Sequence, residues 1–132
     1  MTEHPVPEAV ERAVRAALDR KAVDLVLLDL HGVASFTGYF LLCTGLSARQ
    51  VQAISDAVEE QLARHGILPD HVEGYEHGEW VLLDYVDFIV HVLSARARGY
   101  YDLERLWRQA ARLPVAGDPR PESRAESGSV GR

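Results

Sequence analysis

The stretch Val23-Asp24-Leu25-Val26-Leu27-Leu28-Asp29-Leu30 constrains this chain more than any other part of it. Side chains of an extended strand alternate between two faces, and here both faces are largely apolar. A run this short and this apolar, closed by His31-Gly32, reads as a strand covered on both sides, which places it inside a layered fold. Tyr39 to Thr44 reads as a second strand and leads through Gly45 into a stretch where Val51, Ile54, Ala57, Val58 and Leu62 recur at helical spacing, ending at Gly66. Upstream, Val10, Ala13, Val14, Ala17 and Leu18 form another helical stripe behind Pro7. From Asp70 to Leu93 the character changes. Val72 to Tyr75, Trp80 to Tyr85 and Phe88 to Leu93 are short β-prone runs divided by His77-Gly78 and Val86-Asp87, the pattern of an antiparallel meander. Gly99 to Leu113 then carries Leu103, Leu106, Trp107, Ala110 and Leu113 at helical spacing. This order predicts an α+β domain, a mixed five-stranded sheet with helices packed on it.

A chain of 132 residues can hold one such domain with a core of its own, placed at residues 6–113. Pro114 to Arg132, with three Pro, three Gly and three Ser, reads as a disordered tail at residues 114–132. Cys43 is the only cysteine, no apolar run reaches membrane-spanning length, and Met1 to Pro5 does not have the pattern of a signal peptide. The expected compartment is the cytoplasm, with no membrane partner. The net charge of −6, from 14 Lys+Arg against 20 Asp+Glu, is spread unevenly. Asp56 to His91 holds nine acids and a single base, Arg64, a strip that repels phosphate, argues against DNA as a partner and attracts cationic protein. Arg96 to Arg112 holds five arginines against Asp102 and Glu104, as a solvated helix face does.

Several patterns in the chain carry chemistry in other proteins. Gly45-Leu46-Ser47 lacks the second glycine of a hydrolase nucleophile elbow, since Arg49 stands there, and Ser47 reads as a helix cap. A nucleotidyltransferase also begins with Gly-Ser before a helix, but it needs two carboxylates on one strand face to hold metal. Asp84 and Asp87 are three residues apart and would point to opposite faces of one strand. His65, His71 and His77 recur at intervals of six, which matches no metal-ligand spacing, so no metal and no cofactor is expected. Cys43, among Leu41 and Leu42, reads as a buried inert thiol, and His91 as a hydrogen-bonded structural imidazole. No phosphate-cradling glycine loop is present in the sequence. The residues alone leave open a nucleotidyltransferase-type enzyme, a small RNA-binding module and a protein-binding factor.

Trp80 is the most informative side chain. Trp80, Leu82 and Asp84 should share one sheet face, and Val81, Leu83 and Tyr85 the other. A tryptophan among acids is either core or the anchor of a contact with a basic protein.

Four segments, taken in order, resemble the ribosomal silencing factor family, also called RsfS or Iojap. They are Cys43-Thr44-Gly45-Leu46-Ser47-Ala48-Arg49-Gln50-Val51, Glu73-Gly74, Gly78-Glu79-Trp80-Val81-Leu82-Leu83-Asp84-Tyr85-Val86-Asp87-Phe88-Ile89-Val90-His91, and Tyr100-Tyr101-Asp102-Leu103-Glu104-Arg105-Leu106-Trp107. The resemblance spans about residues 8–108. It implies a nucleotidyltransferase-like fold without the catalytic carboxylates, and a translation repressor rather than an enzyme. It further implies binding to the large ribosomal subunit through that subunit's protein fourteen, hindrance of joining with the small subunit, and, by analogy with organelle relatives, a role in large-subunit assembly. Trp80 falls on the family's binding tryptophan; Val81, Leu82 and Tyr85 are neighbouring candidates, and Tyr101 with Arg98 borders the same surface. The apolar character of both meander faces also raises the expectation of a homodimer.

Overall fold

The structure, a computed structural model, describes residues 6–115. Its elements are α1 (Glu8–Asp19), β1 (Val23–Asp29), β2 (Tyr39–Gly45), α2 (Ala48–Ala63), β3 (His71–Glu73), β4 (Trp80–Asp84), β5 (Phe88–Ser94), α3 (Ala95–Tyr101), α4 (Leu103–Leu106) and β6 (Ala111–Leu113). The fold is α+β with one mixed sheet in the order β3-β4-β5-β2-β1-β6. Only β2 and β5 run parallel; the other neighbours are antiparallel, including the expected β3-β4-β5 meander.

The sheet has six strands, not five. Helical spacing predicted one helix over Gly99 to Leu113, but the chain instead breaks twice there. Asp102 adopts the left-handed conformation (φ 49°, ψ 56°), which ends α3 and starts α4. The chain then turns through Trp107 to Gln109 and extends from Ala111, so that Leu113, Arg112 and Ala111 pair with Leu27, Leu28 and Asp29 on the open edge of β1. An unpaired edge is a template for any extended segment that reaches it, and here pairing outweighs a helical pattern that is satisfied only as far as Leu106. The expected tail lies mostly outside the described residues.

The two faces of the sheet are covered differently. Under α1 and α2, Leu25, Leu27, Leu41, Cys43, Val81, Leu83, Val90 and Val92 meet Val10, Ala13, Val51, Ile54, Val58 and Leu62 in one core. On the opposite face Val26, Leu28, Leu30, Phe40, Leu42 and Ile89 form a second cluster beneath Leu103 and Ala110, with Trp80, Leu82 and Trp107 only partly buried on it. Burial of Leu25 through Leu28 confirms that the run at Val23 is covered on both sides. Ser47 caps α2 by accepting the Gln50 N–H at 3.1 Å, and Gly66 (φ 76°) reverses the chain after it. No helix among the described residues is long and apolar enough to cross a membrane.

Candidate functional site

Two turns set the position of Trp80. At the far end of β4, Asp84 Oδ1 accepts the Val86 N–H (2.8 Å), the Asp87 N–H donates to the Tyr85 carbonyl (2.8 Å) and the Tyr85 N–H to the Phe88 carbonyl (2.9 Å). Val86 is thereby held at φ 73°, a region that β-branched residues avoid at a cost of about 1–3 kcal/mol. The Thr37 hydroxyl, donating to the Val86 carbonyl at 2.8 Å, pins the turn from the β1–β2 loop. This tight connection fixes the register that puts Trp80 opposite Leu93 and Leu82 opposite His91. At the near end, Gly74 (φ 82°) approaches so closely that a Cβ there would lie 2.0 Å from the Trp80 carbonyl oxygen. Gln52 Nε2 donates to the carbonyls of Tyr75 (2.9 Å) and Glu76 (3.3 Å), and the Tyr75 hydroxyl donates to Asp56 (3.0 Å). The β3–β4 loop is thus clamped to α2, which accounts for the Glu73-Gly74 segment in chemical terms.

The Trp80 side chain is half-buried on the thinly covered face. Its Nε1–H donates to His91 Nδ1 at 3.0 Å, and its ring lies 4.6 Å from that of Tyr101 at a tilt of 48°. His91 is buried, edge-on to Phe40 at 4.5 Å, and burial lowers its pKa from 6.5 to about 4. An indole N–H only donates, so Nδ1 carries the lone pair and the neutral ring holds its proton on Nε2. Among the described residues that Nε2 finds no hydrogen-bond partner. The structural imidazole expected at His91 is therefore present, and its task is to orient the indole.

The expected contact set divides. Trp80, Leu82 and Tyr101 share the open face, with Tyr101 46% exposed. Val81 and Tyr85 do not belong with them. Strand alternation turns both toward α1 and α2, where Val81 is fully buried and Tyr85 stacks on Phe88 at 4.9 Å, its phenol pushed upward in pKa by burial and then by Glu59. Arg98 is also a correction, since it acts as a strut: Nη1 donates to Thr44 Oγ1 (2.8 Å), Nε pairs with Glu104 (3.0 Å), and its side chain is only 12% exposed. It holds α3 and α4 to the sheet behind Tyr101 and is not a free cation at the rim.

Sequence reasoning missed the indole–imidazole bond and the exposed Tyr100 beside Tyr101. The first was legible in principle, because a tight turn at 85–87 sets Trp80 diagonally across from His91. Tyr100 offered no such signal.

The other candidates resolve into structural roles. Cys43 is fully buried and burial pushes its thiol up to about 12. His71 pairs with Glu73 at 2.7 Å on the exposed edge strand, and among the described residues no cluster of His, Cys, Asp or Glu is placed to hold a metal ion.

The family model described as "Ribosomal silencing factor during starvation" matches residues 3–130. A ribosomal silencing factor RsfS from Halalkalibacterium halodurans is 39% identical over 110 residues, covering 83% of this chain and 94% of the relative. The RsfS of Bacillus subtilis is 41% identical over 98 residues, 74% of this chain and 83% of that protein. A crystal structure of a protein from Chromobacterium violaceum superposes with a TM-score of 0.76 at 35% identity, over 90% of this chain and 99% of its own.

Proposed function

The chain belongs to the ribosomal silencing factor family, and from that premise we propose that it docks on the large ribosomal subunit through that subunit's protein fourteen. A body of 14.7 kDa seated at the subunit interface prevents joining by excluded volume, in the cytoplasm, without any chemical step. The observation that carries this reading is the presentation of Trp80. Its ring is held by His91 and Tyr101, its outer part is left uncovered, and Glu79 stands half-exposed beside it in sequence. An aromatic anchor that loses its remaining water at the centre of a contact contributes about 2 kcal/mol or more. The acidic strip from Asp56 to His91 supplies the complement to a cationic partner.

The residues that a nucleotidyltransferase would use are committed elsewhere, which supports a binding factor over an enzyme. Ser47 caps α2, and Asp84 spends its carboxylate on the Val86 turn. The same surface supports self-association, a homodimer that competes with docking; light scattering tests this, and a monomer mass independent of concentration would remove it. A part in assembly of the large subunit fits the same contact.

The test is Trp80→Ala. Co-sedimentation with isolated large subunits should weaken at least about tenfold while circular dichroism shows the fold intact. Equal co-sedimentation of variant and parent would refute the reading. In lysate gradients the parent should travel with free large subunits and not with joined ribosomes.

A further inference from the structure

Beyond Trp80, α3 and α4 frame an open cleft of about 810 Å³ lined by Tyr100, Tyr101, Arg105, Leu106, Trp107 and Arg108, among others. Its size is within the range of ligand sites, about 300–1,000 Å³. The charge in it is unusual for this acidic protein. Arg96 and Arg98, on α3, are directed to Glu79 and Glu104. Among the described residues Arg105 and Arg108 are exposed and make no ion pair, and Asp102 is the only carboxylate in the lining. Between these cations stand uncovered apolar surfaces: Tyr100 is 80% exposed and Leu106 70%. The Tyr100 ring meets Tyr101 edge to face at 4.9 Å, so it is braced while its own surface stays accessible.

We propose that this cleft binds single-stranded RNA, with a base stacked on Tyr100 and flanking phosphates held by Arg105 and Arg108. Two exposed guanidinium groups with no ion-pair partner among the described residues call for an anion, and an uncovered tyrosine in the same cleft calls for a flat apolar surface carried by the same molecule. An unpaired nucleotide supplies both within one residue length. An acidic peptide satisfies the arginines but leaves the ring wet. Duplex RNA offers phosphates but keeps its bases stacked on one another. The inference goes beyond the Trp80 contact: Trp80 is not among the residues lining the cleft, although Tyr101 touches both the indole and Tyr100.

The experiment measures fluorescence anisotropy of a short labelled oligouridylate with the full chain across a salt series. Saturable binding that weakens with salt is expected, and the Arg105→Glu/Arg108→Glu double variant should lose about tenfold or more. Replacing both arginines by alanine should flatten the slope of log affinity against log salt by about 1.4, the contribution of two single-strand phosphate contacts. Tyr100→Ala should lose about fivefold or more at any salt. Trp80→Ala should bind oligouridylate as the parent does even where it fails to sediment with large subunits, which separates this inference from the docking reading. The proposal is overturned by an absence of saturable binding, by a double variant that binds like the parent, by equal loss in Trp80→Ala, or by a glutamate-rich peptide that binds more tightly than the oligonucleotide.

Discussion

Leu82 and Leu83 are adjacent in one strand and live in different environments. Leu83 points under α1 and α2 and is fully buried, whereas Leu82 points to the face that α3 and α4 cover only in part. The same contrast holds along the whole sheet. One face is closed by two long helices and filled with aliphatic side chains. The other is closed by two short helices and ends in partly covered aromatics around a buried imidazole. The lesson is that apolar content on both sides of a strand does not mean two equal cores. One side is sealed, and the other leaves part of its apolar surface uncovered.

The sharpest way to break this comparison is to truncate both leucines. Leu83→Ala should cost about 2–5 kcal/mol of unfolding free energy, read from urea denaturation, because it leaves a cavity that fixed helices cannot fill. Leu82→Ala should cost less than about 1.5 kcal/mol, since that side chain is only partly buried and water can fill the space it leaves. Equal losses would show that the two faces are equally closed.

Acid titration probes the imidazole sealed into the open face. The folded His91 holds its pKa near 4 against the ordinary 6.5 because burial disfavours the charged ring. Above pH 6.5 both folded and unfolded chains carry the neutral ring, and its contribution is complete. As pH falls from about 6.5 to about 4 the unfolded chain takes up the proton first, so stability declines by up to about 3 kcal/mol, then levels off once the folded ring also protonates. His91→Gln keeps an acceptor for the indole and does not titrate. Its stability should fall less steeply across that interval, and parallel curves for the two proteins would show that the ring is not desolvated.

How much of this was legible in the sequence follows the same division. The helix-covered face was readable almost in full, because Val10 to Leu18, Val51 to Leu62 and the strand runs each repeat one period over many residues. The thinly covered face was not. Its cover changes direction at Asp102 and again after Trp107, where a non-glycine residue in the left-handed region and an open sheet edge decide the path, and neither has a periodic signature. Trp80 stood out from composition and resemblance, but assigning Val81 and Tyr85 to the same contact conflicts with the alternation that had already put them on the other side. Arg98 was legible as a cation but not as a strut, since its partners Thr44 and Glu104 are brought to it only by the fold.

Gly74 tests whether the open face is set up from the helix-covered one. Its backbone passes so close to the Trp80 carbonyl that Gly74→Ala must displace either the β3–β4 loop or the start of β4, besides placing alanine at φ 82°. We expect a loss of about 1–3 kcal/mol and, with it, weaker co-sedimentation with large subunits, although residue 74 lies outside the proposed contact. Retained stability together with retained binding would show that the clamp does not position the indole.

The smallest expected effects discriminate best, because the same chemical bond occurs on both sides. Ser47 caps α2 with a hydrogen bond from Gln50 N–H, and Ser94 caps α3 with one from Ala97 N–H at 3.0 Å while donating to Glu79 Oε1 at 2.8 Å. Replacing either serine by alanine removes a cap contribution of about 1 kcal/mol. On the helix-covered side α2 opens only when the core opens, so Ser47→Ala should lower the global unfolding midpoint by that amount. On the thin side α3 is held by Ala97 and by the Arg98 contacts to Thr44 and Glu104, an attachment small enough to open before the core does. Ser94→Ala should therefore leave the midpoint nearly unchanged and appear as faster amide hydrogen exchange confined to residues 95–101. If both variants shift the midpoint equally, the two faces unfold as one unit, and the open face owes its exposure to geometry alone and not to looser attachment of its cover.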